Sequence, residues 1–255
     1  MSDFLLFLLV GGLAQLVDGA LGMAYGVVSS TVLISFGVTP ATASASVHTA
    51  ELFTTAASGT AHAIHRNIDW KLFWRLVPFG VLGGVVGAYL LTSFPGAVMK
   101  PYVAAYLTLI GVYLFSRSFR KIPSRPVPGS VVPPLGLAGG FLDAVGGGGW
   151  GPIVTTGLLG AGGQPRYVIG TVNTAEFLIT VAVSMSFLFA LLTGHWQESD
   201  FASHGFAVLG LIVGGVIAAP FAGYIVKRLE EKVLLRLVGG LITSLGLVQV
   251  AQLLG

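Results

Sequence analysis

Val47-His48-Thr49-Ala50-Glu51 returns as Val172-Asn173-Thr174-Ala175-Glu176, and each copy lies in a stretch that otherwise reads as membrane helix. The offset (176 − 51 = 125) also pairs Asp18 with Asp143, Gly22 with Gly147, Gly26 with Gly151, Thr31 with Thr156 and Pro40 with Pro165. Further along, Asp69 pairs with Asp200 and Gly83-Gly84 with Gly214-Gly215, at an offset larger by six residues (200 − 69 = 131). The chain reads as an internal duplication. A carboxylate in hydrocarbon costs on the order of 2.5–3.5 kcal/mol on insertion scales. A sequence that carries such groups twice in register is expected to use them.

Composition sets the environment. Hydrophobic residues make up 54% of the 255 and charged residues only 9%, against about 25% charged in a soluble domain. The chain reads as a multi-pass protein of the cell (inner) membrane. Its net charge of +3 is gathered in short loops, which bears on orientation and not on nucleic acid. There is no cysteine, so disulfides, thiolate chemistry and Cys-based metal sites are excluded. The apolar start at Phe4 has neither a basic leader nor a small-residue cleavage pattern before Asp18, and reads as the first helix. No P-loop or catalytic triad is present, and no catalytic residue, metal or cofactor is expected.

Apolar segments run over 4–17, 26–36, 41–63, 72–93 and 97–116, then 131–145, 152–161, 166–192, 201–226 and 233–254. A crossing helix needs about 20 residues, so the first two segments of each half are too short. They read as half-helices broken at Gly19 to Gly26 and at Gly146 to Gly151, where freed backbone groups must face protein or a water-filled cavity. The basic, proline-containing stretch Arg117 to Pro126 reads as a cytoplasmic linker. Walking outward from it places Arg66, Lys71 and Arg75 inside, the loop with Glu198 and Asp200 outside, and Lys227, Arg228, Lys232 and Arg236 inside. The expected fold is an all-α polytopic membrane protein of two inverted-topology repeats, each a re-entrant half-helix pair followed by three transmembrane helices. Residues 1–116 form the first repeat with the N-terminus outside, 117–130 the linker, and 131–255 the second repeat with the C-terminus outside. Inverted repeats with broken helices are characteristic of secondary transporters.

The run Gly146-Gly147-Gly148-Gly149-Trp150-Gly151 precedes Pro152, a residue favoured at the first position of a helix. Its backbone N–H groups, at Gly147, Gly148, Gly149, Trp150 and Gly151, are candidates to hold an anion. Tyr25 and Gly26 are their first-half counterparts, and Thr49, Asn173 and Thr174 stand beside them as further substrate-binding candidates. The same glycines would equally allow tight packing of a re-entrant hairpin.

On the third segment Ser44, His48, Glu51, Thr55, Ser58 and His62 recur at three- and four-residue spacing and make one polar stripe. Asn173, Glu176, Thr180 and Ser184 make a shorter one in the second half. A carboxylate does not ligate an anion unless it is protonated, so Glu51 and Glu176 suit coupling to protons or Na+. The bland alternative makes them hydrogen-bonded cross-links between helices. His48, three residues before Glu51, is placed to share a proton with it. Asp18 and Asp143 close the first half-helices, where an acid opposes the helix dipole, so each is expected to accept nearby N–H groups or to bind a cation. The partners implied are a small anionic substrate, lipid, and protons or Na+. A different class, a cation-coupled transporter or cation-selective channel, would use the acids as ion ligands. An intramembrane enzyme has only His48 with Glu51 in its favour.

Over nearly its whole length the chain resembles the sulfite exporter TauE/SafE family of membrane permeases. The resemblance rests on Asp143-Ala-Val-Gly-Gly-Gly-Gly-Trp-Gly-Pro152, on Ser46-Val-His-Thr-Ala-Glu51 with Ser58-Gly59 and His62, on Asn67-Ile68-Asp69, and on Gly80 with Gly83-Gly84. The first-half break departs from the family's glycine-rich, proline-ended pattern. The resemblance implies export of small sulfur-containing anions such as sulfite, sulfoacetate or related organosulfonates.

Overall fold

The computed structural model describes residues 2–119, 126–196, 204–221 and 231–254. Linker residues 120–125, Glu198, Asp200, Lys227 and Arg228 lie outside the described residues. The first half comprises α1 (Ser2–Leu21), α2 (Tyr25–Ser35), α3 (Pro40–Ile64), α4 (Trp70–Ser93) and α5 (Gly96–Arg117). A 3₁₀ turn (Gly129–Val131) leads into the second half, with α6 (Val132–Gly146), α7 (Gly151–Gly160), α8 (Pro165–Leu192), α9 (Gly205–Ala218) and α10 (Glu231–Leu254). The first turn of α7, Gly151–Thr155, is wound as a π-helix. No strand occurs among the described residues.

Local chemistry explains the boundaries. Pro40 and Pro165 open α3 and α8, where a missing N–H costs nothing. The Asp69 carboxylate accepts the N–H groups of Lys71 and Leu72 and caps α4. Gly22 and Gly147, both at φ 65°, end α1 and α6. The breaks therefore fall where the glycines predict, with one correction: α1 has 20 residues and continues past the expected end at 17. A glycine within a helix costs only about 1 kcal/mol against alanine, so α1 passes Gly19 and stops where Gly22 turns left-handed. Helix α9 closes in a 3₁₀ turn at Ala219–Phe221, which contains the helix-breaking Pro220.

Helices α4, α5, α8 and residues Leu235–Leu253 of α10 are long and apolar enough to cross a membrane, and Phe4–Gly19, Tyr25–Ser35, Gly151–Gly160 and Gly205–Phe221 are shorter apolar helices. The protein is an all-helical, multi-pass membrane protein. Large apolar side chains such as Trp74, Leu82, Leu109, Phe189 and Leu192 are exposed on its outside, as a lipid-facing surface requires.

Packing is reciprocal between the halves. Helix α1 packs on α9 while α6 packs on α4; α3 meets α9 while α4 meets α8; α3 pairs with α8, and α5 with α10. Exchanging the halves turns α1·α9 into α6·α4 and α3·α9 into α8·α4 and returns α3·α8 and α5·α10 to themselves, as a duplicated chain predicts. Small residues allow the close approaches. A Cβ on Gly83 would meet Phe141 N at 2.9 Å, and one on Gly214 would meet Leu8 C at 2.8 Å; without a hydrophobic effect between helices in lipid, such backbone proximity is what holds them. Helices α3 and α8 pair with each other, with Ser44, His48, Glu51 and Thr55 of the first stripe and Asn173, Glu176 and Thr180 of the second buried.

Candidate functional site

The two breaks, 22–24 and 147–150, meet each other. A Cβ on Gly26 would stand 2.7 Å from Gly148 Cα and 2.9 Å from Gly147 O, and one on Gly151 would stand 2.5 Å from Met23 Cα. A Cβ on Gly148, at φ 154°, would fall on Val27 N and the Gly26 backbone. Only residues without side chains let two backbones cross so closely. Thr155 Oγ1 donates to Gly22 O at 2.8 Å and ties α7 to the first break. Trp150 is fully buried, and its indole N–H donates to Val172 O of α8 at 3.0 Å.

Asp143 organises the second break. Its Oδ1 accepts the N–H of Gly149 at 2.8 Å and of Trp150 at 3.0 Å, while its main-chain carbonyl accepts those of Gly147 and Gly148. Four of the N–H groups that the sequence leaves open to an anion are thus engaged by Asp143. Its other oxygen, Oδ2, lies 3.2 Å from His48 Nε2. On the far side of the ring, Nδ1 is 2.8 Å from Ser44 O, and a carbonyl can only accept. Ser44 Oγ, 3.3 Å from the same nitrogen, has its own hydrogen directed at Ala144 O (2.6 Å). Nδ1 therefore carries a proton, and the Nε2···Oδ2 contact closes only with a second proton between the two atoms. His48 meets Asp143 of the opposite half, in place of the expected Glu51. Helical side chains lean toward the N-terminus, which draws the ring back to Ser44 and away from Glu51, one turn further on.

The first break is a looser version. Asp18 Oδ1 accepts Tyr25 N at 3.4 Å, and the Tyr25 hydroxyl points away to Leu211 O of α9 (2.9 Å). Glu51 is 1% exposed; its Oε2 has no partner among the described residues, and its Oε1 lies 3.0 Å from the point where a Cβ on Gly26 would stand. Asn173, equally buried, donates through Nδ2 to Ser58 Oγ at 3.2 Å, and its Oδ1 is also without a partner. Glu176 is buried on α8, within electrostatic reach of Asp18, Glu51 and Asp143. Four carboxyls and one imidazole thus share the crossing, whereas Arg117, the buried arginine among the described residues, ends α5.

Two candidates are not brought to the crossing. Thr49 bonds back to Ala45 O and lines a separate cavity of about 260 Å³ with Ser184, Phe187 and Trp196. Thr174 bonds back to Gly170 O and backs onto Gly59. Conversely, sequence reasoning missed Tyr106 of α5, whose ring lies where a Cβ on Gly146 would be and whose hydroxyl donates to Gly148 O at 3.2 Å. Its hydroxyl amid apolar residues is the sole sequence hint. At the Lys71 end of α4 opens a cavity of about 760 Å³, lined by Lys71, Arg75, Gln164 and Tyr167. At the other end of α4, Thr92, Ser93, His195 and Trp196 line one of about 200 Å³.

Comparison with known proteins places this geometry in context. The family described as sulfite exporter TauE/SafE matches residues 7–248. The probable membrane transporter protein YtnM of Bacillus subtilis (strain 168) is 43% identical over 249 residues, covering 95% of this chain and 81% of the relative. No solved structure matches the chain.

Proposed function

The chain belongs to the sulfite exporter TauE/SafE family of membrane transporters, and from that premise we propose that it exports a small sulfur-containing anion, sulfite or an organosulfonate, across the cell membrane by alternating access coupled to protons. The observation that carries this reading is the proton-holding His48–Asp143 pair on the glycine turn where the two halves cross. An anion entering a site already furnished with four carboxyls needs compensating positive charge, because like charges repel strongly where water is scarce. Protons on the carboxyls or on His48 supply it. The inverted arrangement inferred from the basic loops lets the crossing face either side in turn, and the cavity at Lys71 and Arg75 puts cations at the end assigned to the cytoplasm. In this reading the buried Glu51 and Glu176 carry protons, and the halves 1–116 and 131–255 rock about the crossing.

Proteoliposomes loaded with sulfite or methanesulfonate test the proposal: efflux should follow the imposed pH difference, and Glu51→Gln and Glu176→Gln should change that dependence. Transport with unaltered pH dependence in both variants would remove the coupling role. The unpartnered acceptors Glu51 Oε2 and Asn173 Oδ1 favour, as a second reading, Na+ as the coupling ion; efflux responding to a Na+ difference and not to pH would select it.

A further inference from the structure

Asp143 already occupies the place that the glycine turn offers an anion. Its carboxylate takes two convergent N–H groups, Gly149 and Trp150, in the manner of a bound oxyanion, and it is 1% exposed. Substrate cannot reach these donors while it stays. The crossing also holds the buried Glu51 carboxyl, whose Oε1 lies 3.0 Å from where a Cβ on Gly26 would stand and whose Oε2 has no partner among the described residues. We propose that Asp143 is the resident, exchangeable ligand of the Gly149 and Trp150 N–H groups, and that a small oxyanion replaces it only together with one proton. This rests on the anion-transport reading above.

The charge balance follows from the His48 tautomer. With Nδ1–H held by Ser44 O, the resting pair contains one shared proton and is neutral as imidazolium and carboxylate. When the anion arrives, one further proton binds Asp143 Oδ2; the neutral acid leaves the N–H groups, and His48 keeps its proton as the counter-ion of the substrate. For a singly charged anion, methanesulfonate or hydrogen sulfite, the added charge is one anion and one proton, and the site's net charge is unchanged. The other ionisable groups facing this exchange are Asp18 from α1, Glu51 from α3, Tyr106 from α5 and Glu176 from α8. All are acids, so none relieves the charge of an anion entering alone.

Calorimetry of sulfite and methanesulfonate binding, in buffers of different ionisation enthalpy, counts protons taken up by the full-length protein in detergent. Wild type should take up about one proton per methanesulfonate and gain the infrared carbonyl band of a newly protonated carboxyl, and Asp143→Asn should lack that band even where His48 takes the proton in its place. Asparagine retains an oxygen for the two N–H groups and an N–H for His48, so the fold should survive. If it does not, isotopic labelling of the aspartate carboxyls in wild type decides, since the band gained on binding must then shift. Wild-type binding with no proton uptake from methanesulfonate, the carboxyl band retained in Asp143→Asn, or a band unmoved by aspartate labelling would overturn the assignment of the exchange to Asp143. Failure of wild type to bind either anion would instead refute the functional reading beneath it.

Discussion

Gly148→Ala should be among the most damaging single-methyl changes in the chain. The glycine stands at φ 154°, and an added Cβ would meet Val27 N and the Gly26 backbone of the other half. Neither neighbour is a side chain able to swing away. Holding a non-glycine residue in such a backbone region costs on the order of 1–3 kcal/mol, and forcing a methyl into a filled contact costs about 1–3 kcal/mol more. Taken at mid-range, the two come to about 4 kcal/mol, and at roughly 2–4 °C per kcal/mol for a chain of this length the unfolding midpoint should fall on the order of 10 °C. The assay is thermal unfolding of the purified protein in detergent, followed by tryptophan fluorescence. Gly240→Ala is the control: it lies within α10 with nothing within 4 Å of the added Cβ, so it should gain about 0.5–1 kcal/mol from helix propensity. A Gly148→Ala midpoint within about 1 °C of wild type, under the same scale, would refute the close crossing of the two breaks.

Ala24 occupies φ 133° at the break in the first half, so Ala24→Gly should stabilise by about 1 kcal/mol; a lowered midpoint would contradict the strain argument. Gln249 of α10 donates to Thr31 O at 3.0 Å and to Ser35 Oγ at 2.9 Å, and Gln249→Leu should cost about 1–2 kcal/mol in denaturation by removing this tie to α2. Trp150→Phe removes the bond to Val172 O and part of a fully buried ring. It should cost about 2–4 kcal/mol and slow transport, while the circular dichroism of the helices is kept.

Much of the architecture is present in the chain as read. The duplicated Val-X-Thr-Ala-Glu motif aligned the halves, prolines marked the starts of α3 and α8, and Gly22 and Gly147 marked the breaks, because each acts on its own backbone. The stripe Ser44, His48, Glu51 and Thr55 is buried as its spacing predicts, since helical period decides which residues of one helix share a face. Where local rules compete, the reading slipped: Gly19 is tolerated inside α1, and threonines such as Thr49 and Thr174 bond back to their own helices.

Sequence alone thus determined a membrane-embedded, duplicated helical chain, with its breaks and its inventory of buried acids. Only the tertiary structure decided which of those acids meet. The partner of His48 lies in the other half, at Asp143; the Gly149 and Trp150 N–H groups of the glycine turn are filled by that same carboxylate; and Tyr106 reaches the turn, at Gly148 O, from a helix that no motif marks. Periodicity and caps act within a turn or two, whereas the crossing is set by how closely Gly26 and Gly148, far apart in the chain, allow two backbones to pass. That distance decides which charges face one another, and with them the chemistry of the site.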